Sequence, residues 1–264
     1  MRIILPSLLR VFRFNDSEYS SNYGADMPTS DFNVNDLAAY LHTTPQEILK
    51  QAKRDKIPGR KAGGDWIFSF TEIHEWLHER IGISTEEELR QVEGNMKRTL
   101  RPDEPVDLAF VDFLHPDAID VSLPAKTRDS VIREMTKMAE RTGLLWDTAK
   151  MADAIRDREE LHPTALGNGV ALLHPRGTLP NILGDSFVAL GITSRGIPFG
   201  GGGSTGTDIF FLLCSQDDRT HLRLLARVSR LLTTPGFLDS LRESPDARSV
   251  LELTSQVEGE MPHS

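Results

Sequence analysis

At 264 residues, 39% of them apolar, the chain is long enough for one large domain or two ordinary ones and can support a real core. A formal charge of -9 argues against a protein that coats nucleic acid through its overall field, but it leaves room for a locally basic face. The single cysteine, Cys214, excludes an internal disulfide, fits a reducing compartment and, set in an apolar run, reads as an inert buried thiol.

The opening MRIILPSLLRVFRF is broken by Arg10 and Arg13 and is followed by no small-residue cleavage site, so a secretory signal is not expected. No later segment approaches the ~20 uninterrupted apolar residues of a membrane span. The expectation is a cytoplasmic protein without membrane insertion. The polar stretch from Asn15 to Ser30 carries neither a helical nor a strand period, and residues 1–30 read as a disordered leader.

The first patterned region covers residues 31–82. A short helix from Asn35 or Asp36 places Leu37, Ala38 and Leu41 on one face. Thr44, Pro45 and Glu47 then supply an N-cap, a first-turn proline and a capping-box acid for a second helix that continues to Arg54. A Gly-rich turn, Lys61 to Asp65, separates two short extended pieces, and a last helix runs through Ile73, Trp76 and Leu77. This is the outline of a small winged helix-turn-helix.

From Thr44 to Lys61 there are six basic residues against two acidic ones, a local excess that suits phosphate contact and equally suits a solvated face. The segment NVNDLAAYLHTTPQEILKQAKRDKIPGRKAGGDWIFSFTEIHEWL resembles the excisionase-like helix-turn-helix family in its helix, turn, helix, "IP", glycine wing and terminal "EWL". The resemblance implies DNA binding, with Gln46, Lys50 and Lys53 on the second helix and Arg60 and Lys61 at the wing as candidate contacts. Asp65 is a poor neighbour for phosphate, and protein binding is the competing use of such a module. The same stretch contains His74-Glu75-Trp76-Leu77-His78, an HExxH pattern that places two histidines on one helix face as zinc ligands require. A fifty-residue unit has no room for the third ligand and cleft of a metalloprotease, so two solvated histidines are expected, with no metal and no cofactor.

Residues 83–105 form a charged linker, with Ser84 and Glu87 as a capping box and Pro102 and Pro105 closing it. Beyond it, residues 106–258 alternate strand and helix patterns. Ile119 to Leu123 has period two, Val131 to Ala139 has helical spacing ending near Gly143, and a further helix spans about Asp147 to Glu160. Phe187 to Ile192 and Asp208 to Leu213 read as buried strands, and Leu224, Leu225, Val228, Leu231 and Leu232 as another helix. The fold class expected is α/β, a mixed central sheet with helices on both faces, preceded by the small winged helix-turn-helix.

Three stretches of this region, HPDAIDVSLPAKTRDSVIREM, REELHPTALGNGVALLHPR and FLLCSQDDRTHLRLLARVSRLL, resemble the IIA component of the fructose, mannitol and nitrogen-regulatory branch of the phosphoenolpyruvate-dependent phosphotransferase system. In that family a histidine after a "GVA" strand takes a phosphoryl group from a phosphorylated histidine carrier protein. The resemblance places that acceptor on His174, with Arg158 of the "RE" motif and His221 as its supporting cation and second histidine. Thr164 and Gly169 fall on positions that shape the loop before it. A neutral imidazole has the lone pair that in-line attack on phosphorus needs, and a planar guanidinium can hold two phosphoryl oxygens at once.

Two features depart from the family. Proline usually precedes the acceptor histidine, whereas Leu173 stands there and Pro175 follows. The glycine run at 200–203 lacks the lysine of a phosphate-binding loop and reads as a flexible turn. The leading expectation is a regulator that joins phosphoryl acceptance to DNA binding. A relay to a sugar permease component and a sensor that has lost phosphotransfer are the alternatives, and a second copy of the chain is carried as a candidate partner.

Overall fold

In the computed structural model of the chain, the described residues are 31–41, 43–69, 72–73, 76, 109–161, 163–200 and 206–261. The expected leader, the expected linker and the outer histidines of the HExxH pattern, His74 and His78, lie outside them.

Helix α1 (Val34–Tyr40) starts slightly earlier than its spacing predicts, because the Asn33 side chain accepts from the backbone N–H of Asn35 and Asp36 at 2.8 and 3.0 Å. Helix α2 (Pro45–Ala52) is capped by Thr44, whose hydroxyl accepts from Glu47 N–H. The Glu47 carboxylate does not fold back on the cap; it accepts from Lys50 and Gln51 instead. Strands β1 (Arg60–Ala62) and β2 (Asp65–Ile67) form the wing. Gly63 and Gly64, both at positive φ, make the two-residue turn that only such backbone allows. Phe32 pairs with Phe68 beside the wing, and these two join Leu37, Ala38, Ile48, Ala52, Ile57 and Ile73 in a buried cluster. Leu222, far along the chain, completes that cluster.

The second region begins at a 3-10 turn, Phe110–Phe113, and β3 (Leu114–Asp120). It continues through α3 (Arg128–Glu140), α4 (Thr148–Leu161), β4 (Val170–Leu173), β5 (Phe187–Ile197) and β6 (Thr207–Cys214). Three helices close it, α5 (Asp218–Thr233), α6 (Phe237–Glu243) and α7 (Ala247–Glu260). The sheet order is β3-β5-β6-β4, with β3 parallel to β5, β5 antiparallel to β6, and β6 parallel to β4.

Alternation along the strands builds a core on each face. Ala171, Leu173, Ala189, Phe210 and Leu212 turn toward α3 and α4, while Val170, Leu172, Leu190, Phe211 and Leu213 turn toward α5, α6 and α7. Two strands differ from their sequence patterns. β3 begins at Leu114, with a register shift against β5 between Leu114 and Ile119, where Pro116 offers no N–H, and stops at Asp120, whose carboxylate accepts from Ser122 N–H at 2.9 Å in the turn that follows. β5 runs on to Ile197 through an exposed polar stretch that resumes pairing only at Thr207. Among the described residues, no helix is long and apolar enough to cross a membrane.

This topology fixes where a site can form. β4 and β6 are parallel neighbours, with Leu173 opposite Leu212, so the segments leaving their carboxyl ends emerge together at one edge of the sheet. His174 follows the first strand and Ser215 follows the second.

Candidate functional site

His174 sits one residue past β4 and is only 4% exposed. Its Nδ1 lies 2.8 Å from the carbonyl of Leu172. A carbonyl oxygen can only accept, so Nδ1 carries the proton and Nε2 holds the ring's lone pair. Leu173 stays in the ladder and fills the sheet face toward α3 and α4, a position where proline would remove a donor. Pro175 ends the strand and biases the preceding residue to extended backbone, so rigidity at His174 comes from the residue after it.

His221 arrives from the other side. Asp217 caps α5 by accepting from Thr220 N–H at 2.9 Å, which places His221 in the first turn of the helix, 5% exposed. Its Nδ1 lies 3.4 Å from the Ser215 hydroxyl. The two imidazole rings meet with centroids 4.9 Å apart at 52°. A partial positive charge at the start of a sixteen-residue helix favours anionic groups at this edge. Pro175, Arg176, Thr178, Ser215 and His221 line a narrow recess beside the pair.

Behind His174 the chain is locked by a buried carboxylate. Arg158 and Glu159 end α4, at 5% and 0% exposure. Glu159 accepts from Thr164 N–H at 3.1 Å and from the Thr164 hydroxyl. Burial pushes the Glu159 carboxyl above its ordinary range, and the Thr164 hydrogen bonds, Arg128 and Arg158 pull it only partly back. The Thr164 carbonyl accepts from Leu172 N–H at 3.2 Å, and the Leu172 carbonyl in turn accepts from His174. Glu159, Thr164, Leu172 and His174 are therefore one chain of hydrogen bonds. Glu159 was not among the sequence candidates; its signal was present as an acid beside Arg158, five residues before a threonine. Arg128, 3.7 Å from Glu159, carries no local pattern that would have found it.

Gly169 lies at the opposite end of β4 from His174, at φ +87. A Cβ there would meet Arg242 Nη2 at 2.9 Å and Asp208 Oδ1 at 3.0 Å, two groups joined in a bidentate pair. It fixes the start of the strand, away from the histidines. Burial pushes the Cys214 thiol far up, as its apolar surroundings predict.

The candidate DNA contacts form a separate surface. Gln46, Lys50 and Lys53 are exposed, within about 60° of one another around α2, and opposite the buried Ile48 and Ala52. Lys50 pairs with Glu47 at 3.0 Å, Arg60 pairs with Asp31, and Lys61 lies 5.5 Å from the Trp66 ring centre.

The family model "Phosphoenolpyruvate-dependent sugar phosphotransferase system, EIIA 2" matches residues 112–257, and the "Helix-turn-helix domain" model matches residues 32–81. The chain is 32% identical over 146 residues to a nitrogen regulatory protein of Bradyrhizobium diazoefficiens, covering 54% of this chain and 92% of that one. It is 24% identical over 148 residues to a nitrogen regulatory protein of Pseudomonas aeruginosa, covering 55% and 94%. The crystal structure of the nitrogen regulatory protein IIA-Ntr from Neisseria meningitidis superposes with a TM-score of 0.49 at 20% identity, over 55% of this chain and 97% of that one.

Proposed function

Because the chain belongs to the phosphoenolpyruvate-dependent sugar phosphotransferase system EIIA 2 family and carries a helix-turn-helix domain, we propose that it is a regulator in which His174 accepts a phosphoryl group and this event is linked to DNA binding. The observation that carries the reading is the His174 and His221 pair at the carboxyl ends of β4 and β6, with the lone pair of His174 fixed on Nε2 by the Leu172 carbonyl.

The donor is a phosphorylated histidine carrier protein. The Nε2 lone pair attacks phosphorus in line, a new N–P bond forms, and the N–P bond of the donor breaks with its electron pair returning to the donor imidazole. The His174 ring gains positive charge in the step, and Nδ1–H shares it with the Leu172 carbonyl. His221, the first turn of α5 and Arg158 supply the donors and positive charge that the equatorial oxygens require.

The N-terminal domain supplies the output. The exposed face of Gln46, Lys50 and Lys53, flanked by the wing residues Arg60 and Lys61, has the geometry of a helix presented to duplex phosphates. That face favours regulation over a relay to a sugar permease, for which a DNA-binding module has no use. The test is incubation with the phosphorylated carrier protein followed by detection of acid-labile phosphohistidine. The wild-type chain is expected to label and His174→Ala to lose at least ~100-fold of that labelling. Equal labelling of the two would remove His174 as the acceptor.

A further inference from the structure

The histidine pair is shut in the described arrangement, and the residue next to His221 shows what sits against that end of the helix. The core stripe of α5 is Leu224, Leu225, Val228, Leu231 and Leu232, all packed on the sheet. Leu222 lies about 120° around the helix from the centre of that stripe, where a surface helix ordinarily carries a polar residue. It is nevertheless 2% exposed, buried among Phe32, Leu37, Ile48, Phe68 and Ile73 of the helix-turn-helix rather than in either core of its own domain.

We infer that the N-terminal domain docks on α5 through Leu222, one residue past its first turn, and that the docked arrangement closes His174 and His221 against incoming reagents. Two observations support closure as well as contact. Both histidines are at or below 5% exposure, although an acceptor must be reached by the nitrogen and phosphorus of a protein donor. Leu222 is the one residue of the second domain that enters the N-terminal cluster among the described residues, which suits a contact that releases rather than a permanent interface.

The direction of the coupling follows from what docking leaves exposed. Gln46, Lys50 and Lys53 remain at the surface, so the docked chain keeps its candidate duplex face while its acceptor is closed. Phosphorylation adds roughly -1.5 to -2 charge beside the contact, and by linkage whatever opens the contact favours phosphorylation and is favoured by it. This coupling rests on the phosphoryl-acceptor reading; the docking itself does not.

Diethyl pyrocarbonate, which acylates accessible imidazole nitrogens, tests the closure without any phosphoryl donor. The full chain is treated over a time course and acylation at His174 and His221 is located by peptide mass spectrometry. Leu222→Asp is expected to raise the rate at both histidines at least about fivefold over wild type, and Leu222→Met to leave it near wild type. Amide-exchange protection of β4 and β6 reports whether the second domain stays intact; where the aspartate disturbs α5, Leu222→Ala, which keeps high helix propensity, gives the same comparison. Equal rates in wild type and an intact Leu222→Asp or Leu222→Ala chain would overturn the closure. In a second arm Leu222→Asp should take phosphoryl faster than wild type, and an unchanged rate with raised acylation would overturn the coupling.

Discussion

Gln46, Lys50 and Lys53 reach solvent from one face of α2, whereas His174, His221, Arg158 and Glu159 are each at or below 5% exposure in the second domain. The first set is an exposed polar face of the helix, on which Lys50 has one side-chain partner, Glu47, on the same helix. The second set is a site in which each group is oriented by a neighbour: His174 by the Leu172 carbonyl, Thr164 by Glu159, His221 by its place in the first turn of α5. Long-range attraction to a polyanion tolerates loose side chains, while in-line transfer to one nitrogen does not. The contrast means that substitutions in the two regions should fail differently, one through binding alone and the other through stability and chemistry together.

The largest expected effect is on the buried carboxylate. Glu159→Ala leaves the Thr164 N–H and hydroxyl buried without their acceptor and should cost about 2–4 kcal/mol in urea denaturation, with phosphoryl uptake falling as the loop before His174 loosens. A stability near wild type would show that this lock is not structural. Gly169→Ala should cost less, about 1–2 kcal/mol, because the left-handed backbone penalises a Cβ while the Arg242 and Asp208 tips can give way. A smaller effect lies in the pH profile. The carboxyl of Glu159 is raised above its ordinary value of 4.5, so the folded state binds its proton more tightly than the unfolded chain does. The stabilising contribution of that proton is complete below 4.5 and declines as pH rises toward the folded value. Glu159→Gln, which cannot lose a proton, should therefore show a flatter melting temperature than wild type as pH rises above the ordinary 4.5; a steeper profile would contradict the sign.

The N-terminal surface should show the complementary pattern. Lys53→Ala is expected to reduce the salt dependence of duplex binding by about one unit of slope and to leave the melting temperature close to wild type. Lys50→Ala should do less, since Lys50 is already shared with Glu47, whose carboxyl it holds below the ordinary range. Loss of stability in either variant, or an unchanged salt slope, would break the comparison.

Much of this architecture was legible in the chain because its periods are strong. Thr44 and Pro45 announced α2, Gly63 and Gly64 the wing, and the alternation of Ile209 to Leu213 a strand with a core on either side. The ends of β3 and β5 were not legible, since register shifts and a proline inside a strand leave no periodic trace. In the site, the motifs named His174, Arg158, His221 and Thr164, and the structure sets the two histidine rings against each other at a 52° tilt and ties Thr164 to His174 through Leu172. Gly169 lies at the far end of β4, a distance that position in a motif does not convey. Leu222 was invisible for a different reason: a leucine one residue past a helix's first turn looks like any other, and only burial in a distant cluster gives it meaning.

The most direct measurement is phosphoryl transfer itself. The full chain, His174→Ala and His221→Ala would be incubated with the phosphorylated histidine carrier protein, and the modified nitrogen would be identified by phosphorus and nitrogen magnetic resonance. The expected result is phosphohistidine on Nε2 of His174 in wild type, none in His174→Ala, and slower formation in His221→Ala. Label on Nδ1, on another residue, or at equal levels in wild type and His174→Ala would contradict the assignment of His174 as the acceptor.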